Sequence, residues 1–151
     1  MKKIEIKNKI IEFSKIELGE KIDFLNRAIN DAQKEAASHK GRMESRYDTF
    51  REEAQAKRDA YKKQLFDTQK LLSVINEISP KINKEIQIGS IVETNENNYF
   101  ISVGILDKIE INKQKYSPIS PESPIGQILL QKKIGEEFEF RERKIKIKNI
   151  F

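Results

Sequence analysis

A chain of 151 residues has room for one ordinary domain or two small ones, and 35% charged residues with a mean hydropathy of -0.67 suit long solvated helices. The net charge of +5 is spread, with 17 Lys/Arg against 14 Asp/Glu in residues 1–80 and 12 against 10 in 81–151, so a polybasic arm for DNA is absent. Without cysteine, and with His39 the single histidine, disulfides, thiolate sites and a His-based zinc site are excluded. The start MKKIEIKNKI has no apolar h-region, and no stretch reaches the ~20 apolar residues of a membrane span, so the cytoplasm is the simplest location.

From Glu20 to Ile78 there is one glycine, Gly41, and no proline, whereas all four prolines follow residue 79. Helix interiors exclude both residue types, so a helical region is predicted over 1–79 and a separate domain over 80–151, divided near Ser79-Pro80. The irregular start, Met1–Ile10, reads as an extra helical turn or a frayed arm. Ile11, Leu18, Ile22, Leu25, Ile29, Ala32 and Ala36 are spaced by 7, 4, 3, 4, 3 and 4 residues, the narrow seam of a coiled coil. A second series, Met43, Tyr47, Phe50, Ala54, Tyr61, Leu65, Leu72 and Ile75, has polar interruptions at Lys57 and Thr68. Ser38–Arg42 lies between them as the turn, so an antiparallel helical hairpin with its tip near 38–44 is expected. At 1.5 Å per residue its helices would each span about 40–50 Å. One continuous dimerising helix is the alternative, because Gly41 inside it would cost only about 1 kcal/mol.

After residue 80 the period changes. Ile86–Ile88 and Ile91–Thr94 read as a strand, Asn95–Asn98 as a turn, Tyr99–Val103 as the returning strand and Lys108–Asn112 as a half-buried strand. Ser117–Pro121 breaks the pattern. Ser123 as N-cap and Pro124 at the first helical position then open a short helix. Glu137–Phe140 and Lys144–Ile150, around a tight turn at Arg141–Arg143, form a closing hairpin. The fold class is α+β.

The run Ile119-Ser120-Pro121-Glu122-Ser123-Pro124-Ile125-Gly126, continued by Gln127-Ile128-Leu129-Leu130-Gln131-Lys132-Lys133-Ile134-Gly135-Glu136-Glu137, resembles the C-terminal signature of GreA/GreB transcription elongation factors. A long helical hairpin before it resembles the family's whole architecture. The resemblance implies an FKBP-like C-terminal domain that docks on RNA polymerase, and a hairpin that enters the polymerase secondary channel; because such a hairpin satisfies its own seam, a monomer is expected. DNA and RNA would be met only within the transcription complex. Ser120, Ser123, Pro124, Ile125, Gly126, Lys132 and Lys133 are the docking candidates.

The resemblance also implies acidic tip residues that help hold a Mg²⁺ shared with the polymerase, the factor having no cofactor or catalytic residue of its own. Here the tip departs from the family pattern. Where the first metal-binding carboxylate would follow Gly41, Arg42 stands instead. Glu44 and Asp48, four residues apart, share a helix face, with Arg42 and Arg46 interleaved. They are either metal ligands or the solvated acids of a first helical turn, which also suit the helix dipole. His39 reads as an exposed turn residue or as a contact to RNA or polymerase. A prolyl isomerase would need a deep aromatic pocket, and this chain has no tryptophan. A coiled-coil adaptor unrelated to transcription is the remaining alternative.

Overall fold

The structure, a computed structural model, describes residues 2–38 and 44–151, with side chains for 2–37 and 48–151. Two long helices, α1 (Lys3–Ser38) and α2 (Glu44–Asn76), precede six strands and one short helix. The expected turn at 39–43 lies outside the described residues. The chain forms two compact units, Leu18–Leu72 and Met1–Glu17 with Ser73–Phe151. Residues 1–17 thus cluster with the C-terminal region, whereas the composition of the sequence divides the chain near Ser79-Pro80.

Within Leu18–Leu72 the two helices form the hairpin. Leu18, Leu25, Ile29 and Ala32 of α1 are buried, as are Ala54 and Thr68 of α2, while Ile22, Tyr61 and Leu65 are half-buried. Positions 18 and 68, 25 and 61, and 32 and 54 lie equally far on either side of residue 43. That mirror symmetry is the register of antiparallel helices facing each other along one seam. Burying Thr68 in that seam leaves its hydroxyl in need of a partner, and it donates to the Gln64 carbonyl one turn back at 2.7 Å. Phe50, in contrast, is exposed and leaves the seam; the side chains of Met43 and Tyr47 lie outside the described residues.

The other unit is built on a six-stranded mixed sheet. Its strands are β1 (Ile91–Thr94), β2 (Asn98–Ile101), β3 (Ile109–Ile111), β4 (Gln114–Ile119), β5 (Glu137–Phe140) and β6 (Arg143–Ile150), in spatial order β3-β4-β2-β1-β6-β5. β2 and β4 are parallel and the other pairs antiparallel. Helix α3 (Pro124–Leu129) contributes Leu129 to a core with Val92, Tyr99, Ile101, Ile147 and Ile150. Ile91, Phe100 and Phe151 are fully buried as well, so the central strands are covered on both faces.

The base of α1 belongs to this unit and is helical from Lys3, so residues 3–10 extend the helix by further turns. Ile10, Ser14 and Ile75 are fully buried. The Lys3 ammonium lies 5.6 Å from the centre of the Phe151 ring, and the Glu17 carboxylate accepts the Asp107 N–H through both oxygens at 3.1 and 3.2 Å.

Two elements differ from the sequence expectation. Ile86–Ile88 is no strand: Gln87 N–H donates to the Ser90 hydroxyl oxygen, that hydroxyl donates to the Glu85 carbonyl, and Gln87 donates to Asn83. Gly89 completes the reversal at φ +96, where a Cβ would stand 2.8 Å from an Ile78 methyl. Side-chain hydrogen bonds offer this backbone an alternative to the ladder.

Ser117–Ile119, expected to break the pattern, instead lies in β4, with Pro118 paired to Phe100 of β2. β3 pairs only with Gln114–Tyr116, so Pro118 has a strand on one side and its missing N–H costs no ladder bond. The closing hairpin is as expected, and its turn holds Arg141 and Glu142 at φ 49 and 66.

Candidate functional site

The signature residues converge on the start of α3. Ser123 donates both its N–H and its O–H to the Ser120 carbonyl, at 3.1 and 2.7 Å, and its hydroxyl oxygen accepts the Gly126 N–H at 3.1 Å. The Ser120 hydroxyl in turn accepts the Glu122 N–H at 3.2 Å. Pro124 occupies the first turn, where its lack of an N–H is harmless. Gly126 is buried because the chain passes directly over it: a Cβ there would stand 2.2 Å from the Ser120 carbonyl oxygen. The Ser-x-x-Ser-Pro-x-Gly pattern is therefore a folding instruction before it is a surface. Only glycine permits the crossing, and only a hydroxyl at 123 ties both sides together.

That knot holds an exposed rim. Pro124 is exposed, Ser120, Ser123 and Ile125 are partly so, and the segment after α3 adds half-buried Lys132 and exposed Lys133. Sequence reasoning missed the apolar part of this segment, where Leu130 and Ile134 are also exposed. Their signal was the run Leu129-Leu130, of which only Leu129 can face the core of so short a helix. An exposed apolar side chain beside a lysine suits a protein partner better than bulk water.

At the hairpin tip, Arg42 and His39 lie outside the described residues, as do the side chains of Glu44 and Arg46; α2 begins at Glu44. Asp48 is exposed in the second turn of α2. Among the described residues no group of three His, Cys, Asp or Glu side chains could hold a metal ion. No described helix is long and apolar enough to cross a membrane.

Sequence reasoning also missed Lys7. It is fully buried, and its ammonium donates to the Lys81 carbonyl at 2.6 Å. Burial, and then the charge of Lys81, pull its pKa down from 10.5 to about 8. The signal was available, since Lys7 and Ser14 continue the heptad that runs through Ile11 and Leu18. Both are polar and went uncounted.

The hydroxyl-capped knot under α3, set in a mixed sheet and preceded in the chain by two long helices, defines an α+β protein. Residues 81–150 match the family model described as transcription elongation factor, GreA/GreB, C-terminal. Over those residues the chain is similar to the C-terminal domain of GreA/GreB factors. No curated protein matches the chain in sequence.

Proposed function

We propose that the protein binds bacterial RNA polymerase, as a cytoplasmic monomer, and regulates elongation by inserting its helical hairpin into the secondary channel. The observation that carries this reading is the GreA/GreB C-terminal domain at 81–150 joined to a hairpin of two helices, Lys3–Ser38 and Glu44–Asn76. The rim around Ser120, Ser123, Pro124, Ile125 and Gly126, with Lys132 and Lys133 beside it, is the docking surface. The factor is a non-catalytic accessory: any hydrolysis of backtracked RNA takes place at the polymerase's own centre.

Transcript cleavage is weak or lost in this protein. A guanidinium cannot ligate a metal, and Arg42 brings positive charge to where a shared Mg²⁺ would need a carboxylate. Glu44 and Asp48 remain as the acids able to serve, with Arg42 and Arg46 interleaved. The regulatory effect then comes from occupying the channel.

Core polymerase captured on the immobilised protein, followed by incubation with a backtracked elongation complex, tests both parts. Binding is expected, with RNA shortening no faster than the spontaneous rate. Replacing Glu44 and Asp48 together by alanine should leave binding unchanged. Absence of polymerase binding overturns the reading; rapid shortening that depends on Glu44 and Asp48 replaces it with that of an active cleavage factor.

A further inference from the structure

A groove runs between the base of α1 and strand β3, at the far edge of the sheet. It is a shallow, open hollow of about 250 Å³, lined by Phe13 and Glu17 on one side and by Asp107, Lys108, Ile109 and Glu110 on the other. Successive strand residues point to opposite faces of a sheet. Ile109 and Glu110 can both line one hollow only if it lies along the open edge of β3.

The backbone there has unused bonding capacity. Asn112 and Lys113, at φ 52 and 65, form a two-residue hairpin loop closed by the pair Ile111–Gln114. That pair and Ile109–Tyr116 exchange the hydrogen bonds of the ladder, so Glu110, paired with Lys115 between them, turns its N–H and C=O outward along the edge. Beside it, Phe13 is 45% exposed, an aromatic ring left at the surface with room for an apolar side chain next to it.

We propose that this groove takes an extended, basic segment of a protein partner, which adds a strand antiparallel or parallel to β3 and places one apolar side chain against Phe13 and Ile109. Three of the six lining residues are acidic and one is basic, on a chain whose net charge is +5. The groove is thus a negative site on a positive protein, and electrostatic complementarity selects lysine or arginine at the positions flanking the apolar anchor. Glu17 already holds the Asp107 N–H and fixes the spacing of the two walls. Main-chain bonds supply affinity and the alternating side chains supply selectivity, as in other strand-addition sites. A second copy pairing through β3 is disfavoured, because it would bring the acidic walls of two grooves together. The inference stands independently of polymerase binding.

The test uses the whole protein and a fluorescein-labelled peptide of alternating lysine and valine, titrated by fluorescence anisotropy, with amide shifts followed by NMR. Expected are saturable binding, shifts centred on β3 and Phe13, and at least about tenfold weaker binding when alternate peptide amides are N-methylated, since methylation removes the donors of the new ladder. Glu110→Lys should weaken the peptide by a similar factor. The methylated peptide leaves the protein untouched, so a folding defect cannot imitate its effect. Equal binding of the plain and methylated peptides, equal binding of an alternating glutamate–valine peptide, shifts that map elsewhere, or self-association through β3 in sedimentation would each overturn the proposal.

Discussion

Replacing Lys7 by methionine probes the one buried charge among the described residues. Lys7 is fully enclosed and has the Lys81 carbonyl as its partner at 2.6 Å. A pKa lowered from 10.5 to about 8 corresponds to a penalty of about 3 kcal/mol for keeping the ammonium charged in the folded protein. Below pH 8 both folded and unfolded chains carry the proton, and the penalty is constant. Between pH 8 and 10.5 the unfolded chain still holds a proton that the folded chain has released, so raising the pH favours folding. From pH 7 to 9.5 the wild type should gain about 2 kcal/mol from this residue.

Lys7→Met keeps an unbranched apolar side chain, one atom shorter, and removes the titration. The methionine leaves the Lys81 carbonyl without a donor, which costs about 1–3 kcal/mol and offsets part of the gain. The absolute stability of the variant is therefore less informative than its slope with pH. Urea unfolding of both proteins by circular dichroism, at intervals from pH 7 to 9.5, should show the stability difference changing by about 2 kcal/mol in favour of the wild type. Tyr116 sets the upper limit of that window: burial, and then the charge of Glu93, raise its pKa, so it works in the opposite sense above pH 10. Parallel stability curves for the two proteins would refute the assignment of Lys7 as a buried ammonium bound to a main-chain carbonyl.

Gly126→Ala should destabilise the C-terminal domain by about 2 kcal/mol or more and weaken polymerase capture, because the new Cβ would press on the Ser120 carbonyl at 2.2 Å; thermal unfolding and pull-down read the two effects. Ala54→Leu forces a larger side chain into a buried seam position and should cost about 1–3 kcal/mol, measured by urea unfolding. Glu142→Gly relieves a non-glycine residue at φ 66 in the closing hairpin and should stabilise by about 1 kcal/mol, seen as a higher midpoint in urea.

The local features were legible in the residues themselves. The heptad from Ile11 to Ala36 is a repeat within one helix, and it appears in the structure as the buried stripe Leu18, Leu25, Ile29 and Ala32. The Ser123-Pro124 helix start and the Glu137–Ile150 hairpin also depend on neighbours a few positions away, so their chemistry is written where they occur. The Ser120–Gly126 segment was legible as a motif, though the fact that Gly126 lies under the Ser120 carbonyl was not.

Tertiary structure decided the rest, because the deciding partner lies far along the chain or on another element. Pro118 sits in a strand because β2, 18 residues earlier at Phe100, offers a parallel partner while β3 stops short on the other side. Ile86–Ile88 leaves the sheet because Ser90 and Asn83 bind its surroundings. Lys7 reads as a solvent charge until Lys81, 74 residues on, supplies a carbonyl inside the same compact unit. Periodicity reports which face of an element is apolar; it cannot report which polar groups on that face will find a partner, since that depends on what the completed fold brings opposite them.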